Sequence, residues 1–351
     1  MAAIVRYERM ARPGATAKDM DRAKDMDREA SLATRTRTKG VRATRIPSTG
    51  RGEFPAPIFL LAPPRSFSSV ICSVIGQNPE LFDSPELNLF RANTMSEFIG
   101  RVRPHMGLNR FVAQLYAGEQ TIESVVMARN WVLARRLRTT AEVHRELCAK
   151  IAPRALVQKS PRYQRRLAYM EAVLEAFPNA RFLHLLRHPL GMCQSFLEMR
   201  ERPAQLLACA SMGAVDRSGP EPIADPQILW HDYNLRILRF QQSVDPSRWL
   251  AIKGEDFLTA IDDQLKRLCI WLGVSDAPEA ISAMKRPEES PFASFGPLNA
   301  VGGNDGKFLG DARLRPYVRR EESLNGPLPW RPDGAGFHPR VVEMARSFGY
   351  S

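Results

Sequence analysis

The stretch Pro57–Gln77, "PIFLLAPPRSFSSVICSVIGQ", decides the fold. It opens on "PIFLLA", a short continuous apolar run of the kind that forms a strand covered on both faces. Pro63 and Pro64 stop the run, and an apolar helical segment from Ser66 to about Gln77 follows at once. Between them stand Arg65 and the hydroxyls of Ser66, Ser68 and Ser69. A strand that feeds a loop and then a helix suits an anion. The amides of the first helical turn lack partners, and the helix dipole adds positive potential there. Arg65 supplies a fixed charge that forks onto phosphate or sulfate oxygens. An N-capped helix beside an incidental arginine fits the same residues, so the stretch alone leaves both readings open. The loop has neither the glycines nor the lysine of a Walker A motif, which argues against an ATPase or GTPase.

Working outward, strands and helices alternate from Phe54 onward. "ALVQKS" (155–160), "ARFLHLLR" (180–187) and "RWLAIKGEDF" (248–257) hold further strand candidates. Helices are expected from Glu86 through "ELNLFRANTM", in several segments up to Lys150, and over "PRYQRRLAYMEAVLEAF" with Pro161 in its first turn. "TAIDDQLKRLCIWLG" gives another, ended by Gly273. This rhythm predicts an α/β fold with a mostly parallel central sheet flanked by helices. Residues 202–226 read as a loop, and the glycine-rich 286–306 stretch as a lid, with Lys307 adding a charge.

The chain has 351 residues, is 44% hydrophobic and carries a net charge of +12, so it can build a sizeable core and favours an anionic partner. About half of that charge lies in residues 1–54, which contain a tandem Lys-Asp-Met-Asp-Arg repeat and few large apolar residues. Their composition predicts a disordered basic tail, with one domain over 55–351. The acids of the tail speak against a transit peptide, and it lacks the apolar segment of a secretory signal. No apolar run is long enough for a membrane span. The five cysteines are scattered and show no metal-ligand spacing, which fits buried thiols in a reducing cytoplasm and no metal.

A second anion motif follows. In "ARFLHLLRHPLGMCQSFLEMR", Arg187 ends a buried strand and Ser195 lies eight positions on, two turns into the next helix. An arginine at a strand's carboxyl end faces the crevice where open α/β sheets bind ligands. Together the two segments resemble the sulfotransferase family that uses 3′-phosphoadenosine-5′-phosphosulfate (PAPS), in its bacterial branch. "NPELFDSPELNLF", the "QKSPRYQRRLAYMEAVLEAFPNARFLHLLRHP" run and "WLAIKGEDFL" extend the likeness over roughly Pro57 to Leu272, with weaker echoes in "GGNDGKFL" and "FGYS".

The resemblance implies a P-loop-like sulfotransferase fold with PAPS as sulfuryl donor. Arg65, Ser66, Phe67, Ser68 and Ser69 would hold the 5′-phosphosulfate, and Arg187 with Ser195 the 3′-phosphate. It also implies Glu86 as the base that deprotonates the acceptor, and Lys159 as the cation that, with Arg65, neutralises the leaving phosphate. Glu86 equally suits a first-turn acid on its helix, and Asp83 reads as a turn residue. The acceptor is a hydroxyl or amine on a small molecule or on a carrier-bound chain. Phe67 departs from the pattern, since the family has glycine there. That implies either a loop already helical at this point or a ring packed beside the cofactor. Of the histidines, His184 reads as core, His188 as a support for the Arg187 loop, and His231 as the reserve base. A basic nucleic-acid-binding protein and a kinase-like phosphotransferase are the alternatives. The first lacks any helix-turn-helix, RNP or zinc pattern; the second lacks a P-loop lysine and a magnesium-binding aspartate.

Overall fold

The computed structural model describes residues 54–101, 106–198, 202–315, 317–318 and 321–351. The basic tail expected over 1–54 lies outside them, apart from Phe54. Four of the apolar runs become strands as the sequence predicts: β1 (Ile58–Leu61), β3 (Ala155–Lys159), β4 (Arg181–Leu186) and β7 (Trp249–Lys253). β2 (Leu81–Ser84) joins them at the sheet edge, and the order is β2-β3-β1-β4-β7 with every pairing parallel. β1 lies at the centre, with Ile58 facing Val157 on one side and Arg181 on the other.

Alternate side chains of β1 serve different cores, as the pleat requires. Phe59 and Leu61 pack with Phe82, Leu156 and Phe182 against one helical layer. That layer contains α2 (Met95–Arg101), α3 (Met106–Ala117), α4 (Ile122–Ala134), α5 (Thr140–Ile151), α6 (Leu167–Ala176) and α9 (Pro226–Gln241). Ile58 and Leu60 pack on the opposite face with α1 (Ser68–Gly76), α11 (Ile261–Leu272) and α12 (Pro278–Met284). Burial on both faces is why the central strands read as unbroken apolar runs. A third cluster joins α7 (Pro189–Leu197) and α9 to the terminal helix α14 (Pro339–Ser347).

Several expectations are corrected. No helix starts at Glu86; residues 85–88 have no regular structure, with Asn88 left-handed, and one 3₁₀ turn follows over Leu89–Arg91. Asp83 is no turn residue but a buried member of β2. The helix expected from Pro161 begins only at Leu167, after a 3₁₀ turn at Tyr163–Arg165. Residues 202–226 are not a loop: they hold α8 (Arg202–Ala210) and a small antiparallel pair, β5 (Val215–Asp216) with β6 (Ile223–Ala224). The short α10 (Gly254–Thr259) and α13 (Gly306–Gly310) complete the helices named below. No described helix is long and apolar enough to cross a membrane.

Candidate active site

All four sequence-predicted charges sit at the carboxyl ends of neighbouring strands: Arg65 after β1, Glu86 after β2, Lys159 at the end of β3, and Arg187 after β4. The sheet reverses its winding between β1 and β4, the place where an open α/β sheet forms its ligand crevice. A cavity of about 470 Å³ opens there, lined by Arg65, Phe67, Ser68, Ser69, Glu86, Lys159, Arg187 and Ser195. Ser66 does not line it; this serine is fully buried behind the loop, and its hydroxyl has no hydrogen-bond partner.

The first loop is held in an unusual conformation. Arg65 (φ 67°) and Phe67 (φ 60°) both adopt left-handed backbone, which costs roughly 1–2 kcal/mol per non-glycine residue. Of the two readings of Phe67, the helical one therefore fails: the residue is the N-cap of α1, in the region where the family's glycine would sit. No side chain caps this helix, so the amides of its first turn are left for a ligand. The Phe67 ring stacks under the Arg187 guanidinium, 4.2 Å from ring centre to Cζ, and meets Tyr317 edge-on at 5.5 Å. It also fills the space over Gly254, where an added Cβ would stand 2.5 Å from Phe67 Cδ2.

The two anion motifs are bonded to each other. Arg187 Nη1 donates to the Arg65 carbonyl (2.5 Å), and Arg65 Nε donates to Ser195 Oγ (3.2 Å). Arg187 is itself fixed from behind, because Trp230 Nε1 donates to its carbonyl (2.9 Å). The next residue, His188, donates its amide to Glu255 Oε1 (2.8 Å), while Tyr350 Oη donates to Glu255 Oε2 (3.0 Å). Thus the glutamate of "KGEDF" and the tyrosine of "FGYS" brace the loop after β4. His188 also caps α7 by accepting from Leu190 N (3.2 Å), and burial pushes its imidazole down to about 4, which keeps it neutral at physiological pH.

On the other side, Lys159 is almost wholly buried and donates to Glu86 Oε1 (2.9 Å). Glu86 is placed by its backbone, whose amide donates to the Gly303 carbonyl (2.7 Å). The loop carrying Gly303 is pinned by Arg110, which donates to the carbonyls of Ser294 (2.8 Å) and Gly302 (3.1 Å). Within 286–306 only Asp305 lines the cavity; the wall continues instead through Lys307, Asp311, Arg313, Arg315 and Tyr317. Sequence reasoning missed these last four, although the density of arginines in "DARLRPYVRR" marks the segment. His184 is buried in β4 against Asn234 Oδ1 (2.9 Å), as expected of a core histidine. His231, the reserve base, lies on α9 beside Asp232 and does not line the cavity.

Residues 57–278 match the model of the sulfotransferase family. The chain belongs to that family. Two solved structures share its fold. The sulfotransferase domain from the curacin biosynthetic pathway is 23% identical (TM-score 0.66), with 85% of this chain and 98% of that domain covered. The sulfotransferase domain of the Synechococcus PCC 7002 olefin synthase is 22% identical (TM-score 0.62), with 86% and 98% covered. No curated protein sequence matches the chain. As a sulfotransferase, the protein presents at one cavity the cations that transfer of an anionic group demands.

Proposed function

We propose that this sulfotransferase moves a sulfuryl group from PAPS to a hydroxyl or amine of an acceptor, with Glu86 as general base. The observation that carries the reading is the Arg187–Arg65–Ser195 link, which puts two anion-binding segments side by side at the ends of β4 and β1. A nucleotide with phosphates at its 3′ and 5′ positions needs such a pair of sites. The chemistry of the donor set fits: two arginines, a buried lysine, the uncapped start of α1 and the hydroxyls of Ser68 and Ser69 all favour anions. The cavity is also of the size that small-molecule sites usually have. When bound, PAPS would supply a sulfuryl group already activated on phosphate.

In this reading Arg65, Ser68, Ser69 and the α1 amides hold the 5′ end, with Ser66 and Phe67 shaping the loop. Arg187 and Ser195 hold the 3′-phosphate. Glu86 Oε1 accepts from Lys159, which leaves Oε2 to take the acceptor's proton. Lys159 is then released from Glu86 and can set its charge against the leaving phosphate. In this reading positive charge from side chains serves where related transfers use a metal. The acceptor is a small molecule or a carrier-bound chain, a choice in keeping with the biosynthetic origin of both fold relatives. A reducing cytoplasm suits the five cysteines, which are all buried and unbridged.

Calorimetry with 3′,5′-bisphosphoadenosine and with 5′-AMP tests the reading. Arg187→Ala should weaken the bisphosphate far more than the monophosphate. Equal losses for the two ligands would overturn the assignment of the 3′ site.

A further inference from the structure

Two chain segments leave the cavity side by side, and each carries arginines away from it. Glu86 meets Lys159 at 2.9 Å; next, Asn88 N donates to Ser160 Oγ at 3.4 Å; then Phe90 N donates to Tyr163 Oη at 3.3 Å. Arg91 and Arg165 stand beyond the last rung and Arg162 just before it, with Arg236 supplied by α9. Pro161, adjacent to Arg162, still lines the cavity.

Arg236 Cζ lies 5.9 Å from the ring centre of buried Tyr233, and the charges of Arg91, Arg162 and Arg165 also reach its phenol. Burial pushes its phenol up to about 12, and the nearby charges of Arg165, Arg236, Arg162 and Arg91 oppose that rise. Two contacts of these arginines among the described residues are the following. Arg236 reaches Asp232 Oδ2 at 3.5 Å, and Arg165 Nη2 donates to the Ser211 carbonyl (2.6 Å). Arg91 has a buried Nε with no hydrogen-bond partner, and burial together with the Arg162 charge pushes its guanidinium below the ordinary value. Four like charges on neighbouring segments repel one another, and a bound anion would relieve that repulsion. Neither the nucleotide cradle nor the Glu86–Lys159 pair uses them.

We infer that Arg91, Arg162, Arg165 and Arg236 form an anion site for a phosphate group carried by the acceptor, an arm's length from the reacting hydroxyl. The inference rests on the reading of Glu86 and Lys159 as the reacting end. The chain bounds the spacing: Arg162 is three residues from Lys159 and Arg91 five from Glu86, so their Cα atoms lie no more than about 11 and 18 Å from those of Lys159 and Glu86. Arginine suits such a group, because its planar fork binds phosphate oxygens in pairs. The phosphodiester of a carrier's 4′-phosphopantetheine arm and the phosphate of a free acceptor share this chemistry.

The probe is 4′-phosphopantetheine, titrated calorimetrically into the protein saturated with 3′,5′-bisphosphoadenosine so that the cradle is filled. Pantetheine, which lacks the phosphate, is the control. Wild type should bind the phosphorylated arm at least about tenfold more tightly than pantetheine. Arg91→Gln with Arg162→Gln should erase that difference while binding bisphosphoadenosine as the wild type does, which also shows that the variant is folded. Equal binding of the two probes by wild type overturns the site, and so does an undiminished preference in the variant. Failure of bisphosphoadenosine to bind wild type would instead sink the nucleotide reading, while the two probes still report on the arginines. Competition between the free arm and a carrier protein loaded with it separates the two sources of phosphate.

Discussion

The carboxylate of Asp305 forms an ion pair with Arg65, and the Asp305 amide donates to Ser69 Oγ at 3.2 Å. An acid therefore stands inside the loop that is built for an anion. The same carboxylate caps α13 by accepting from Lys307 N (3.0 Å) and Phe308 N (3.4 Å), so it has a structural reason to be there. A bound anion and Asp305 must share the Arg65 charge.

Asp305→Asn should therefore tighten bisphosphoadenosine binding. Asparagine caps a helix about as well as aspartate, so the segment should stay in place while the competing charge disappears. The pair is partly exposed, and about 1 kcal/mol, or roughly fivefold in affinity, is the size expected. Calorimetry at low salt reads it directly. Unchanged or weaker binding would mean that Asp305 does not compete with the ligand.

Glu86→Gln should lower kcat by about 10²–10⁴-fold on a true acceptor, the usual cost of removing a general base. The structure adds a second effect. Lys159 is 2% exposed, and Glu86 is its ion-pair partner. Removing one member of a buried pair typically destabilises by about 3–5 kcal/mol, an upper bound here because Glu86 is partly exposed. The variant should melt lower than wild type and recover more of its melting temperature when bisphosphoadenosine is added. Normal turnover would move the base elsewhere, and a normal melting curve would show that Lys159 does not need Glu86.

Gly254→Ala should damage the cradle from a distance. A methyl at this position meets the Phe67 ring, which is held between Arg187 and Tyr317 and has little room to retreat. Overpacking of this kind costs about 1–3 kcal/mol and should weaken nucleotide binding by displacing Arg187. Phe67→Gly in the same chain removes the clash and restores the glycine that left-handed backbone prefers. A double-mutant cycle should therefore show recovery. Purely additive losses would refute the contact.

Gly254 and Phe67 also show where the sequence stops being legible. The departure from glycine at 67 is visible in the sequence, but the residue that accommodates it comes from the start of α10, 187 positions later. The central strands were readable because burial on both faces demands unbroken apolar runs. β2, "LFDS", was not, since it sits at the sheet edge and half of it is polar. Glu86 was singled out from the resemblance, while the expected support was wrong: no helix holds it, and its amide donates instead to the Gly303 carbonyl. The wall formed by Asp311, Arg313, Arg315 and Tyr317 has no regular secondary structure, hence no periodicity to detect.

The misread Asp83 gives a pH test. It is buried in β2, its Oδ2 accepts from Ser290 Oγ (2.8 Å), and its Oδ1 has no partner. Burial raises its carboxyl from 3.8 to about 7, against the smaller opposing effect of Ser290. The native state thus holds this proton more tightly than the unfolded chain does. Its contribution is complete below pH about 4, falls as the pH rises toward 7, and is flat above that. The full loss would be up to about 4 kcal/mol. Buried His144 and His184 work in the opposite sense, since burial pushes both down to about 4 and native stability is lost as they are forced to charge in acid. The pH profile of wild type alone therefore mixes the two effects. Asp83→Asn keeps an oxygen for Ser290 and cannot ionise, so the difference in melting temperature between wild type and variant isolates the aspartate. That difference should be constant near pH 4, grow in favour of the variant up to pH 7, and then level off. A constant difference from pH 4 to pH 8 would show that Asp83 does not titrate in this window.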